Sequence, residues 1–454
     1  KSVSTDLLSQ PKIHFLAGWI LVSHKQPNPI NNYLMNLKND KLFPRFAAYG
    51  FLKNLRFFDP FIILIFREAG LSFLQIGLLY SIRDVATNIL EIPTGVFADA
   101  FGRRKAMVMA FASYLISFAI FYLFASFPLY ALAMILFAFG EAFRSGTHKA
   151  LILEHLKITG REDIKVAYYG RTRSFSQLGS ATNALIAAAL VFYTGSYRIM
   201  FLASMIPYTL DLFNLLSYPK ALDGDLEHVP FNELWNQTKK TLRDFGGIFA
   251  NRPALRGLLN SSVNGGSFKA TKDYLQPILE AFALSLAFFP LFMGGNQGGL
   301  SDVQRGAVLI GIVYFVIYLF TSYASRSAAK FSQRFTSLGR AINTTFLLGA
   351  GLLFLAGFAT WADMIFLSIL AFLAFYALRS LRRPMDVAYI SDQIDSRIMA
   401  SGLSVEAQFT TILTAIFAPL LGLLADYFGV GIALTALGAG VLGLNLFVRV
   451  DETK

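Results

Sequence analysis

Gly95-Val-Phe-Ala-Asp99-Ala-Phe-Gly102-Arg103-Arg104-Lys105 decides the fold. One apolar segment runs up to about Ala98 and another starts near Ala106. Between them lie a carboxylate, a glycine turn and three consecutive cations. That order marks a chain leaving a bilayer, turning and going back in, and cations so placed are retained on the cytoplasmic side.

Composition agrees. The 454 residues are 55% hydrophobic and only 15% charged, against about 25% charged in a soluble domain, and mean hydropathy is +0.52. The chain reads as an all-α polytopic membrane protein. It contains no cysteine, so disulfides, thiolate metal sites and thiol nucleophiles are excluded. The net charge of +12 is spread over alternate loops rather than gathered into basic runs, which argues topology and not nucleic-acid binding. Residues 1–44 read as a polar lead-in, since the apolar stretch His14–Val22 is too short to span.

A span needs roughly 20 apolar residues. Twelve such stretches can be read, at about 45–67, 72–98, 105–126, 128–154, 170–193, 197–218, 253–284, 303–325, 338–359, 361–383, 400–425 and 428–448. The seventh is expected to break at Asn264-Gly-Gly266. Turns that follow odd-numbered spans hold few cations (Arg67, Arg198, Arg305). The opposite set is rich in them, with Arg103 to Lys105, Lys157, Arg161, Arg171, Lys239, Arg326, Lys330, Arg382 and Arg383 among others. Both termini are therefore expected in the cytoplasm. Residues 219–252 form one long connection, with an amphipathic surface helix expected over 230–250. The domains are then 45–218, an N-terminal six-helix bundle, and 253–448, a C-terminal one, with a tail at 449–454.

The turn at Gly95, Asp99, Gly102, Arg103 and Arg104 resembles the loop between helices 2 and 3 of major facilitator superfamily (MFS) transporters, bacterial type, G-x-x-x-D-x-x-G-R-[KR]. The resemblance covers about residues 45–448. It implies two six-helix bundles, alternating access, and a conformational latch of Asp99 and Arg103 with Glu154, facing Ser401-Gly402. The stretch Arg383-Pro384-Met-Asp386 resembles the link between helices 10 and 11. Two departures count against a drug–proton antiporter: Leu136 stands where the helix-4 arginine would be if Gly140 is the motif glycine, and the fifth span, Gln177 to Ile186, has no proline.

Charges fall inside the spans. An ionised side chain facing lipid at midplane costs about 2.5–3.5 kcal/mol or more, so these groups must face each other or water. Lys53, Arg56 and Asp59 recur every third residue on span 1. Arg83, Asp84 and Glu91 mark span 2; Glu141, Arg144 and His148 mark span 4; Lys269, Lys272 and Asp273 mark span 7. Arg56, Asp59, Arg83, Asp84, Glu141, Arg144, His148 and Lys269 are the candidates for substrate or proton binding. Each has a plainer reading. Arg56 with Asp59, and Glu141 with Arg144, can neutralise one another as structural pairs. His148 can be a satisfied polar residue, and lysines can snorkel to an interface.

Other chemistries find no support. The five histidines show no metal-ligand spacing, and there is no phosphate-binding loop ending Gly-Lys-Ser/Thr and no Gly-x-Ser-x-Gly turn. The expectation is a secondary transporter, not an enzyme, with no cofactor. It would act as a monomer in the inner membrane on an anionic or zwitterionic small molecule, with protons as coupling ion. An exporter of lipophilic compounds, suggested by 45 Phe and 19 Tyr, and a non-transporting receptor are the alternatives.

Overall fold

The structure is a computed structural model that describes residues 40–223, 252–286, 301–393 and 399–452. The expected amphipathic helix over 230–250 lies outside them. Described residues from Arg45 onward belong to one compact unit, and all regular structure among them is helical.

Span 1 comprises Phe43–Leu52 and Ile62–Glu68. Spans 2 and 3 are Phe73–Phe101 and Arg103–Leu123, and span 4 is Phe127–Arg144 with Thr147–Ile158. Spans 5 and 6 are Lys165–Thr194 and Ile199–Leu216. Span 7 comprises Arg252–Thr271 and Leu275–Ser285, and spans 8 and 9 are Asp302–Arg326 and Leu338–Trp361. Spans 10 to 12 are Ile365–Gln393, Met399–Phe428 and Val430–Val448. Nine of the described segments are long and apolar enough to cross a membrane. Spans 1, 2 and 7 fall short, because spans 1 and 7 are interrupted and span 2 carries Arg83, Asp84 and Glu91. Large apolar side chains stay exposed along the helices, Ile206, Phe213, Phe320, Phe366 and Phe447 among them, as lipid-facing surfaces require.

Helix starts are fixed by local chemistry. Ser72 and Ser301 each close a capping box, with Gln75 and Gln304 answering, which satisfies two otherwise orphan N–H groups per helix start. At the turn between spans 2 and 3, Gly102 holds φ at +106°, a conformation L side chains rarely adopt. A side chain there would also strike the Asp223 carboxylate.

Four features depart from the sequence reading. Span 1 is not one helix: residues 53–58 interrupt it, so Lys53, Arg56 and Asp59 do not form a single helical stripe. Span 4 is interrupted at Ser145-Gly146, where Gly146 has φ +73°. Span 7 runs unbroken through Asn264-Gly-Gly266 and breaks instead at Lys272–Tyr274. The glycines are there for close packing, since a side-chain carbon on Gly265 would stand 3.0 Å from the Arg379 guanidinium. Span 10 continues through Pro384 to Gln393, so Arg382, Arg383 and Asp386 belong to a helix and not to the following loop.

A broken span exposes backbone groups that lipid cannot satisfy, and at span 1 the neighbouring spans supply the partners. Tyr208 of span 6 donates to the Lys53 carbonyl at 3.0 Å, and Ser204 accepts from the Phe57 N–H at 2.9 Å. Asn183 of span 5 donates to the Arg56 carbonyl at 3.0 Å. Gln276 reaches across from span 7, donating to the Asp59 carbonyl and accepting from the Ile63 N–H, both at 2.9 Å.

The two halves are tied together at the end remote from the Gly102 turn. There Tyr197 donates to Glu280 at 2.8 Å, and Gln304 donates to the Phe192 carbonyl at 2.8 Å. Asp426 of span 11 accepts from the Phe73 and Leu74 N–H groups, each at 2.8 Å. Towards the Gly102 end, a cavity of about 630 Å³ separates Arg173 and Gln177 of span 5 from Thr321, Ser325 and Arg383 of spans 8 and 10.

Candidate functional site

A cavity of about 410 Å³ lies between the halves at the level of the span 1 and span 7 breaks. Arg56 and Asp59 enter it from span 1, Arg83 from span 2, and Lys272 and Asp273 from span 7. Phe58, Phe137, Phe201, Tyr318 and Tyr376 supply much of the remaining wall. Breaking the helices at this depth is what lets Arg56 and Asp59, and Lys272 and Asp273, turn inward from short irregular segments.

Most charges on the wall are paired at once. Arg83 bonds Asp84 at 2.8 Å, and Lys272 bonds Asp273 at 2.6 Å. Tyr80 donates to Asp273 at 3.4 Å, joining spans 2 and 7. Arg56 does not pair with Asp59. It bonds Glu141 of span 4 at 2.5 Å and donates to the Tyr208 hydroxyl at 2.6 Å. Its guanidinium also lies 5.1 Å from the Phe137 ring centre, within cation–π range. The Asp59 carboxylate is exposed to the cavity and has no ion-pair or hydrogen-bond partner among the described residues.

Glu141 is shared. Its second oxygen accepts from Arg144 at 2.6 Å, as the three-residue spacing predicts, and Tyr114 donates to its first at 2.6 Å. Arg144 donates to the same Tyr114 hydroxyl at 3.2 Å. One carboxylate thus holds two arginines, each only about a fifth exposed. Arg56 lines the central cavity and Arg144 lines a second recess.

His148 stands apart from the central cavity. It is buried, stacked on Tyr49 with ring centres 3.5 Å apart and 3.3 Å from the Tyr218 hydroxyl, and it lines a second recess. Lys269 is exposed on span 7 and does not line the cavity, a place taken by Lys272 and Asp273.

At the Gly102 turn, Arg103 and Glu154 stand 3.6 Å apart; the side chains of Asp99, Ser401 and Gly402 lie outside those described. Asp223 accepts from the Arg104 N–H at 2.7 Å, and Arg104 also reaches the Tyr218 carbonyl at 3.2 Å. Asp223 was legible only as part of the long connection 219–252. Gly95 is exposed with open space where a side chain would stand, so packing does not demand a glycine there. Glu91 accepts from Ser145 at 2.8 Å, tying span 2 to the break in span 4.

The second half holds a charged cluster that sequence reading missed. Arg382, fully buried, bonds Asp386 at 3.1 Å and donates to the Ile342 carbonyl at 2.8 Å and to Asn260. Arg379 reaches Asp386 at 3.4 Å and Asn264 at 3.1 Å. The four-residue spacing of Arg382 and Asp386 was the available signal.

Two broken helices facing each other across a polar cavity, inside an all-helical bundle, is an arrangement with known relatives. The Major Facilitator Superfamily model matches residues 46–407. The chain belongs to this superfamily. It is thus a multi-pass membrane protein. Over 104 residues it is 33% identical to the uncharacterized MFS-type transporter YxaM of Bacillus subtilis (strain 168), a match spanning 22% of this chain and 26% of that relative. Among solved structures, it is similar to the nucleoside transporter NupG, at TM-score 0.67 and 14% identity over 90% of this chain and 98% of that one. It is also similar to a D-xylose-proton symporter, at TM-score 0.64 and 16% identity over 91% and 98%. The inward open xylose transporter XylE from E. coli gives TM-score 0.61 at 16% identity over 91% and 96%.

Proposed function

We propose that this superfamily member is a secondary transporter that moves a small zwitterionic or anionic molecule by alternating access. The observation that carries the reading is the central cavity: it lies between the halves, at the breaks of spans 1 and 7, and both halves supply charges to its wall. Midplane sites at the interface of two repeats are how such bundles bind cargo. Arg56, Arg83 and Lys272 oppose Asp59 and Asp273 there, so a molecule carrying both signs finds a partner for each.

Asp59 is the proposed proton carrier, as the wall carboxylate left without a partner. The D-xylose-proton symporter among the similar folds supports coupling of this kind. With the cation-rich end in the cytoplasm of the inner membrane, the bonds of Tyr197, Gln276, Gln304 and Asp426 close the outer side and the protein faces inward. Arg103 and Glu154, already 3.6 Å apart in this state, would serve the opposite state as part of a latch with Asp99 that faces Ser401-Gly402.

Uptake into proteoliposomes under an imposed pH gradient tests the reading, using amino acids, dipeptides, nucleosides and organic acids as cargo. Gradient-driven accumulation of at least one of them is expected, and Asp59→Asn should abolish accumulation while leaving exchange. Uptake indifferent to the gradient in the unaltered protein would remove the coupling. A second reading, export of lipophilic compounds, is favoured by the aromatic part of the wall; it requires transport of a hydrophobic dye that Asp59→Asn leaves unchanged.

A further inference from the structure

A recess of about 400 Å³ opens between spans 1, 4 and 5, towards the Gly102 end and separate from the central cavity. Lys53 comes from the end of the first piece of span 1, Arg144 and Lys149 from either side of the span 4 break, and Arg173 from span 5. No aspartate or glutamate lines it. The central cavity, by contrast, sets two carboxylates against three cations. The nearest acid on span 4, Glu141, is already committed to Arg56 and Arg144.

Lys53, Lys149 and Arg173 have no ion-pair partner among the described residues. Lys53 lies 5.2 Å from the Tyr49 ring centre and Lys149 5.7 Å from that of Tyr169, and neutral rings do not cancel a charge. Lys149 and Arg173 are exposed and Lys53 and Arg144 partly buried, and like charges gathered around one recess disfavour one another unless a counter-charge joins them. The wall also presents the hydroxyls of Ser176 and Ser180, groups suited to donate to anionic oxygens. A volume of this size accommodates a small molecule.

We propose that this recess is a binding site for a compact anion of the phosphoryl kind, whose oxygens take charge-assisted hydrogen bonds from Lys53, Lys149, Arg173 and the free edge of Arg144. Such bonds are roughly twice as strong as neutral ones, and phosphoryl oxygens can accept from several donors at once. The inference goes beyond transport through the central cavity: it is read from binding and stabilisation without any transport step, so its failure and that of the transport reading are separable.

The phosphoryl group could belong to a soluble molecule or to a lipid headgroup. The experiment titrates the purified full chain with inorganic phosphate and phenyl phosphate by isothermal calorimetry. In parallel it compares thermal stabilisation in nanodiscs of phosphatidylglycerol and of phosphatidylcholine. Saturable binding of one anion per chain, weakened about tenfold or more in Lys53→Gln and Lys149→Gln and restored in Lys149→Arg, supports the site with a soluble ligand. Stabilisation confined to phosphatidylglycerol and lost in the same two variants supports it with a headgroup. Arg449→Ala, which removes a tail cation, should leave both readouts unchanged. Absence of both signals, or a signal that survives both lysine substitutions, overturns the proposal.

Discussion

In the first half of the molecule Arg56 and Arg144 flank Glu141; in the second Arg379 and Arg382 flank Asp386. Both clusters join one carboxylate to two guanidinium groups deep in a helical bundle. Their surroundings differ. Asp386 and Arg382 are enclosed, and the remaining donors of Arg382 go to the Ile342 carbonyl, Thr345 and Asn260. Glu141 and its arginines are about a fifth exposed and border two cavities. Near the tail, Glu452 repeats the motif at the surface, 2.6 Å from Arg449 and 3.5 Å from Arg340. The same three charges brace a helix packing where they are sealed and offer themselves to a ligand where a cavity reaches them.

The comparison breaks first at the sealed cluster. Asp386→Asn leaves Arg382 uncompensated in the interior, and removing one partner of a buried pair costs about 3–5 kcal/mol. Thermal and denaturant unfolding in detergent should register that loss; a cost below about 1 kcal/mol would mean that water reaches Arg382. Glu141→Gln comes next. Its arginines border wet cavities, so the stability loss should be smaller, about 1–3 kcal/mol. Uptake should nevertheless fall about tenfold or more, equivalent to roughly 1.4 kcal/mol in barrier. Equal stability losses at Asp386 and Glu141 would erase the distinction.

The smallest effect belongs to Glu452. Hydrogen bonds from Arg449, then Asn343, hold its carboxyl below the ordinary 4.5. A depressed folded-state value means the contribution to stability is present above 4.5 and fades as pH falls through the lower folded-state value. Glu452→Gln should therefore lower the melting temperature slightly at pH 7 and make no difference once the carboxyl is protonated. Melting curves across pH 3 to 7 check this, and an offset that persists at the acid end would exclude an ionic origin.

Much of this was legible beforehand. Hydropathy and the Gly102 turn gave the all-helical membrane fold, because lipid forces apolar stretches of a set length. Spacing along one helix gave Glu141 with Arg144. Contacts between distant parts of the chain were not readable: nothing in the neighbourhood of Arg56 announces Glu141, and an acidic turn gives no sign that Asp223 will meet the Arg104 N–H. Pro384 misled, because a proline marks a helix end in water, whereas packed neighbours let span 10 carry it. Gly265 and Gly266 misled in the same way, since a glycine pair that weakens an isolated helix here makes room for the Arg379 guanidinium and for Leu413.

Gln276 has a consequence for motion. It alone among the partners of the span 1 break comes from the opposite half, and it serves the Asp59 carbonyl and the Ile63 N–H together. When the halves part on that side, both groups lose their amide in a single event, and an unmet peptide group in hydrocarbon is too costly to persist. Solvent must arrive as the glutamine departs, so the gate opens and the Asp59 carbonyl and Ile63 N–H are hydrated in one step.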